Sequence, residues 1–385
     1  MQTLMNKKHP VMEIELDGNT IKATGRVLNQ TMMPIQLQRG FTLETLNQWF
    51  TGRLIPEKRE GLKEARSRFP GIEKDKFFFS LSDQYWVRHS TRDSWEKQNF
   101  FTNAYSEGVG KAFFTPWNVT KEEIIQPSPD RTTNGMLKKR WVRGKDGTSY
   151  LVKAASEIYH QEPLSEVLAS IMLKKLDIIK FVPYELVIDG LSFCSKCPNF
   201  ITESTEFVPA AAIYKMEPAP EKTSTYDHLI KMCAKAGIPG AKEYLDNMIT
   251  ADHILCNFDR HLGNFGFIRS ADNGAILGFA PLFDLGSSYW GTSDKIERKP
   301  SRLFADIETE VVKKMAKRGK LAQARTTAGM TELVKKYPYI SAAKKEGIIG
   351  MMKDVDLEME KISGSVLNEK EIKSMNDLQM EIEYT

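Results

Sequence analysis

One stretch constrains this chain more than any other: "FDRHLGNFGFIRSADNGAILGFAPLFDLG", residues 258–286. Apolar "FGFI" and "AILGFA" flank Asp272-Asn273-Gly274, and Asn-Gly between apolar runs is a strong short-range hairpin signal. With Asn273 and Gly274 as the two turn residues, Asn264 falls opposite Phe283 and next to Asp284, so both reach one mouth of the hairpin. Asp259, five residues before Asn264, can loop back over the same mouth. Two carboxylates and an amide oxygen are hard ligands, suited to Mg²⁺ and a phosphorylated substrate rather than to a softer metal. The competing reading is a polar loop beside a buried hairpin, with Asp259 and Arg260 as a surface ion pair.

The preceding sequence decides between the two. "KKRWV" (138–142) and "SYLVK" (149–153) read as strands separated by "RGKDGT", with Gly144 and Asp146-Gly147 reversing the chain. The second strand ends at Lys153. "QEPLSEVLASIMLKKLDI" then carries Leu164, Val167, Leu168, Ile171, Met172 and Leu176 at helical spacing, with Pro163 at its start and Glu166 in its first turns. "YELVIDG" and "NFITEST" add two expected strands, the second a hinge beside a base. A lysine to hold phosphates, a glutamate to fix it, an aspartate to orient a hydroxyl, and an asparagine and aspartate for metal are the parts phosphoryl transfer needs. They occur here in order, and a protein-kinase catalytic loop spaces its aspartate and asparagine by the same five residues.

The flanks read as scaffold. Residues 12–28 alternate around Asp17-Gly18, so the chain opens with antiparallel strands. "TLETLNQWF" predicts a helix capped by Thr42 and stopped by Gly52, and "FFFSLSDQYWV" (77–87) a buried element. "QPSPDRTTNG" (126–135) is the most plausible boundary, giving units over 1–125, 126–210 and 211–385. Beyond residue 305, "DIETEVVKKMAK", "TELVKKY" and "AAKKEGIIGMMKDVDLEMEKI" are amphipathic helices. Cys194 and Cys197 are spaced C-x2-C, open to a zinc site or to a strand-end or turn pair, but four ligands are wanted and Cys233 and Cys256 lack paired spacing. The 54 basic and 50 acidic residues nearly balance, so no direct nucleic-acid binding is expected. Lys295, Arg298, Lys299 and Arg302 are a local basic cluster, either a recognition surface for an acidic substrate or nucleic acid or a solvated rim. With neither a bilayer-length apolar run nor a secretory pattern, the expectation is a cytoplasmic protein with reduced thiols and no membrane partner.

The chain resembles the HipA-like kinases of bacteria. The matching stretch runs from about residue 126 to about residue 305 through "TTNGMLKKRW", "YLVK", "EPLSEVLAS", "NFITEST", "FDRHLGNFG" and "PLFDLG". "LNQWFTGRLIPEKREGL" resembles the family's N-terminal subdomain. The resemblance implies an α+β, two-lobed protein-kinase-like fold with a small N-terminal α/β subdomain and a helical C-lobe. It implies ATP and Mg²⁺ as cofactors, Asp259 as catalytic aspartate, Asn264 and Asp284 as magnesium ligands, Lys153 on the phosphates and Glu166 as its partner. Thr133, Asn134, Gly135, Lys138, Ile201, Glu203 and His261 would complete the nucleotide site. It further implies a protein substrate, a small helix-turn-helix antitoxin as partner, and autophosphorylation at Thr132, Thr133 or Ser128. "DRHLGN" is also similar to the catalytic loop of phosphatidylinositol kinases, which leaves lipid phosphorylation as the rival; a kinase-shaped binding module is the non-catalytic one.

Overall fold

Three antiparallel sheets and a helical C-terminal half make up the structure, a computed structural model that describes residues 1–382 apart from 126, 291–297, 320 and 322–323, with side chains described to residue 363. The first sheet orders Thr20–Val27, His9–Asp17, Gln2–Asn6 and Tyr85–Arg88. Asp17 pairs with Thr20, so Gly18 and Asn19 make the turn, and Gly18 takes a φ of +58° that glycine adopts without steric cost. Helix Leu43–Thr51 packs on this sheet; the Thr42 hydroxyl accepts from Thr45 N at 3.1 Å, the cap expected of that residue.

The second sheet orders Lys139–Arg143, Ser149–Ala154, Ser192–Pro198 and Glu185–Asp189, with helix Glu162–Leu176 against it. "NFITEST" is not the strand expected. It connects Ser192–Pro198 to Thr205–Pro209, which belongs to a third sheet with Gly266–Ser270 and Ile276–Phe279. The hinge therefore runs straight into the sheet that carries the Asn-Gly hairpin. Cys194 and Cys197 lie inside the strand Ser192–Pro198, buried and free, on opposite faces because their spacing is odd, so they cannot share a metal. Burial pushes both thiols up to about 12.

The hairpin register differs from the expectation by one residue. Ser270 N donates to Ala275 O at 2.8 Å, leaving the four residues Ala271 to Gly274 as the loop, and a bulge falls between Ile268 and Arg269. Phe267 consequently pairs with Phe279 and Ile268 with Gly278. This carries Asn264 toward Leu282 instead of Phe283, and Asp284 remains near the mouth.

The largest core cluster runs from Leu164 on the Glu162–Leu176 helix through helix Ala241–Ile254 to the helices Glu308–Lys317, Ala328–Lys336 and Ala342–Ile382. The N-terminal sheet has its own cores, and one of them reaches Trp141 of the second sheet through Phe79, Trp86 and Phe100. The docking is polar as well. Gln84 donates to Thr202 O and Thr205 O at 2.9 and 2.7 Å, Asn199 to Leu81 O at 2.9 Å, and Phe207 N to Ser82 O at 3.0 Å. Among the described residues no helix is long and apolar enough to cross a membrane.

Candidate active site

Lys153 is the meeting point. It is the penultimate residue of the strand Ser149–Ala154, and its Nζ donates to Glu166 Oε1 from the neighbouring helix and to Asp284 Oδ1, 3.0 Å away, beyond the hairpin. Glu166 also accepts from the Ser195 hydroxyl. Burial alone would pull the Lys153 ammonium down, but the carboxylate of Glu166, with Tyr184 and Asp284, holds it well above its ordinary range. Burial pushes Glu166 up. Asp284 is held far below the usual carboxylate range by Lys153, with Lys139 and Arg260 adding to it against the opposing effect of burial. It stays an anion at any working pH.

Asp284 sits at φ +57°, the left-handed region that a non-glycine residue occupies at a cost. Two bonds hold it there. Its N–H donates to Tyr184 Oη at 3.0 Å, and the carbonyl just before it, Phe283 O, accepts from Arg260 at 3.0 Å.

Arg260 is no surface ion pair with Asp259. It is fully buried, bonds Asp252 twice at 2.8 Å, and gives its remaining nitrogen to Asn264 O at 2.9 Å as well as to Phe283 O. One guanidinium thus ties helix Ala241–Ile254, the "DRHLGN" loop and the segment leading into Asp284 together. The Asn264 side chain closes the same loop, accepting from His261 N at 2.9 Å and donating to Asp259 O at 3.3 Å. The Asp259 carboxylate stands at the surface and accepts from Arg302 at 2.8 Å.

These residues border a cavity of about 630 Å³ lined by Lys153, Asn264, Asp284, His261 and Ile201, and by Thr133, Asn134 and Gly135. Four expected members lie outside this lining: Glu166 stands behind Lys153, Asp259 is taken up by Arg302, and Lys138 and Glu203 are elsewhere. Lys138 faces away and pairs with Glu157 at 2.8 Å, whereas Lys139 lines the cavity. The reason is strand alternation: Lys139 is the register partner of Lys153, so the two project from the same face, and Lys138 precedes the strand. Burial, followed by the charges of Arg59 and Lys153, lowers Lys139 to about 7. Glu203 is exposed on the turn after the hinge and lies outside the lining. Thr132 and Thr133 are buried, and their hydroxyls donate to Phe79 O and, at 3.0 Å, to Pro129 O; Ser128 is buried against Asp130.

Where it is described the basic cluster is exposed, as a solvated rim would be, and each member has a partner. Arg298 bonds Glu358 and His253 O, Lys299 lies over the Phe258 ring, and Arg302 bonds Asp259; Lys295 falls outside the described residues. Among the described residues no three His, Cys, Asp or Glu side chains gather to hold a metal by themselves. Asp284 with Asn264 fits Mg²⁺ instead, since that ion is commonly held by one or two carboxylates and completed by substrate phosphates.

A lysine strand, a glutamate helix and a metal-type aspartate after a hairpin, gathered on one cavity, define a kinase-like protein. No family model matches the chain. The serine/threonine-protein kinase CtkA of Helicobacter pylori is 32% identical over 106 residues, which are 26% of this chain and 32% of that relative; the match thus spans about a third of the relative's length. The crystal structure of the H. pylori proinflammatory kinase CtkA is similar with a TM-score of 0.50 at 18% identity, over 60% of this chain and 95% of that one. HipA of Shewanella oneidensis MR-1, solved with HipB and operator DNA as a toxin–antitoxin system, is similar with a TM-score of 0.56 at 12% identity, over 96% of this chain and 99% of its own. The chain therefore shares the fold of CtkA and of HipA.

Proposed function

We propose that the chain is an ATP- and Mg²⁺-dependent serine/threonine protein kinase with two lobes, divided at 1–125, 126–210 and 211–385. The observation that carries this reading is Lys153, bonded at once to Glu166 and Asp284 on a cavity that Asn264 also lines. In this reading Lys153 and Lys139 hold the nucleotide phosphates. Asn264 and Asp284 would hold the magnesium, which when bound would supply positive charge to offset that developing in the transfer. Asp259 orients the acceptor hydroxyl and takes its proton as the oxygen bonds to the γ-phosphorus and the bond to the β-phosphate oxygen breaks. Arg260 keeps Asn264 and Asp284 in register, and Ile201 and His261 border the bound nucleotide. The acceptor is a protein hydroxyl; a small helix-turn-helix antitoxin is the partner suggested by the HipA complex, and the protein acts in the cytoplasm without membrane or direct nucleic-acid contact.

The test is transfer of radiolabel from ATP with Mg²⁺. Asp284→Asn and Asp259→Asn should each lower transfer by about 10²-fold or more while leaving the circular-dichroism spectrum unchanged. Near wild-type transfer in either variant removes that residue from the mechanism. Label on phosphatidylinositol vesicles instead of protein would favour a lipid kinase. ATP binding without transfer would leave a kinase-shaped binding module.

Autophosphorylation belongs to the same reading, with Thr132, Thr133 and Ser128 as acceptors. Their hydroxyls are buried in the seated loop, so modification requires the loop to leave its seat. A phosphate there adds about −1.5 to −2 charges and blocks its return over a nucleotide. Mass spectrometry after incubation with Mg²⁺-ATP should find phosphate within residues 128–133; its absence there, while other proteins are labelled, sinks the idea.

A further inference from the structure

Arg59 lies in the N-terminal subdomain, far in sequence from every residue of the site, and is 3% exposed. Its Nε donates to Gly135 O at 2.9 Å and its Nη2 to Thr133 O. The next residue donates from Glu60 N to Met136 O at 2.9 Å, and the Thr132 hydroxyl reaches back to Phe79 O of the same subdomain. Behind these bonds the guanidinium rests on the Phe113 ring at 5.8 Å. Gly61 follows at φ +78°, where a Cβ would stand 2.5 Å from Phe113 O and 3.1 Å from Lys138 Cε. The segment 59–61 is therefore pressed against the loop 132–138 with no room for a side chain at its turn.

The direction of these bonds has a chemical consequence. The described chain contains no cis peptide bond, and in a trans peptide the carbonyl and the following N–H point to opposite sides. With Thr133 O and Gly135 O turned to Arg59, the N–H groups of Asn134 and Met136 point away from it. Neither has an acceptor among the described residues. Thr133, Asn134 and Gly135 line the cavity, where Lys139 and Lys153 also reach. Two free N–H groups, on either side of Gly135 N, which donates to Asn134 Oδ1 at 2.6 Å, together with the two lysines make a seat for a polyanion.

We propose that the N-terminal subdomain is a clamp on the phosphate loop, and that Arg59 is its positioning residue, turning two peptide planes so that their N–H groups meet the nucleotide's phosphates. The proposal rests on the ATP-binding reading above and adds that nucleotide affinity is set from a subdomain outside the kinase core. Arg59 touches no reacting atom; it acts through Thr133 and Gly135. Two carbonyls are held by one guanidinium, so shortening the side chain frees both peptide planes at once, and a lysine can recover only part of the hold.

The experiment uses the full chain with Arg59→Ala and Arg59→Lys. Steady-state kinetics with Mg²⁺-ATP should show KM for ATP raised ~10-fold in Arg59→Ala, an intermediate value in Arg59→Lys, and a smaller change in kcat. Hydrogen exchange of the ligand-free protein should speed up over 130–137 in Arg59→Ala and keep its wild-type rate over Thr205–Pro209 and Ala241–Ile254. KM within twofold of wild type together with unchanged loop exchange would overturn the proposal. Exchange raised equally throughout the chain would also overturn it, by making Arg59 a residue of the fold alone. If wild-type protein binds no Mg²⁺-ATP, the kinase reading fails by itself, and the exchange measurement still decides whether Arg59 holds the loop.

Discussion

Lys139 and Lys153 face each other across adjacent strands, yet their environments push them apart. Lys153 has two carboxylate partners and keeps its proton, while Lys139, desolvated by burial and then crowded by Arg59 and Lys153, is lowered to about 7. From about pH 7 to about pH 10 the unfolded chain holds a proton on this lysine that the folded chain has released, so its contribution makes stability rise with pH across that window. Ligand binding has the opposite sign. A bound polyphosphate draws the proton back onto Lys139, so ATP affinity should weaken as pH rises from about 6 to about 9. Calorimetric titration of Lys139→Met against wild type checks this: the variant should bind more weakly at the acid end and show a flatter pH dependence. An unchanged slope removes Lys139 from the phosphate site.

At the scale of elements, single buried side chains hold whole segments in register. Arg260 joins a helix, the "DRHLGN" loop and the segment leading into Asp284, and removing one member of a buried pair leaves the other charge without compensation. Arg260→Met should cost about 3–5 kcal/mol in urea unfolding, whereas a loss below about 1 kcal/mol would mean that Asp252 finds water instead. His253 does a comparable job for the C-terminal helix. Its ring lies 2.7 Å from Glu308 and 3.2 Å from Glu358, an arrangement in which both ring nitrogens donate. Burial works against its charged form, but the bonds to Glu308 and Glu358 prevail and raise its pKa. A raised histidine stabilises fully below its unfolded pKa of about 6.5 and loses that contribution as pH climbs through the folded value. Urea midpoints should therefore fall on the alkaline side in wild type and fall less in His253→Gln.

The whole molecule is held to its N-terminal subdomain by buried charge. Arg269 on the hairpin donates to Glu206 at 2.6 Å, to Tyr85 Oη at 2.9 Å and to Thr31 O at 2.6 Å, while Asn6 donates to the other Glu206 oxygen at 2.8 Å. Within the subdomain, Arg53 ties its own helix end to Asp83, Phe78 O and Tyr85 O. The hinge strand and the Asn-Gly hairpin thus share one sheet, tied by one ion network to the subdomain, which gives Trp49, Arg53 and Ser80 to the cavity wall. Arg269→Met should strip Glu206 of its partner and cost about 3–5 kcal/mol, read as an earlier unfolding transition in both the subdomain's tryptophan fluorescence and far-ultraviolet dichroism. Loss of only the fluorescence transition would mean that the subdomain unfolds independently.

The sequence by itself determined what short-range chemistry can encode. Asp17-Gly18 and Asn273-Gly274 marked hairpins, and Thr42 and Pro163 marked helix starts, because turns, caps and side-chain periods depend on neighbours a few residues away; the order Lys153, Glu166, Asp259, Asn264, Asp284 pointed to the candidate site. Tertiary structure decided the rest. A bulge beside Arg269 moved the hairpin register, and the pairing of Lys139 with Lys153 turned that lysine, rather than Lys138, into the cavity. Arg59 meets Gly135 across 76 residues and Arg269 meets Tyr85 across 184, contacts that leave no periodic trace in the chain. The physical reason is that a buried donor is placed by whichever carbonyl or carboxylate the packing brings to it, and desolvation enforces the match only once the surfaces have closed.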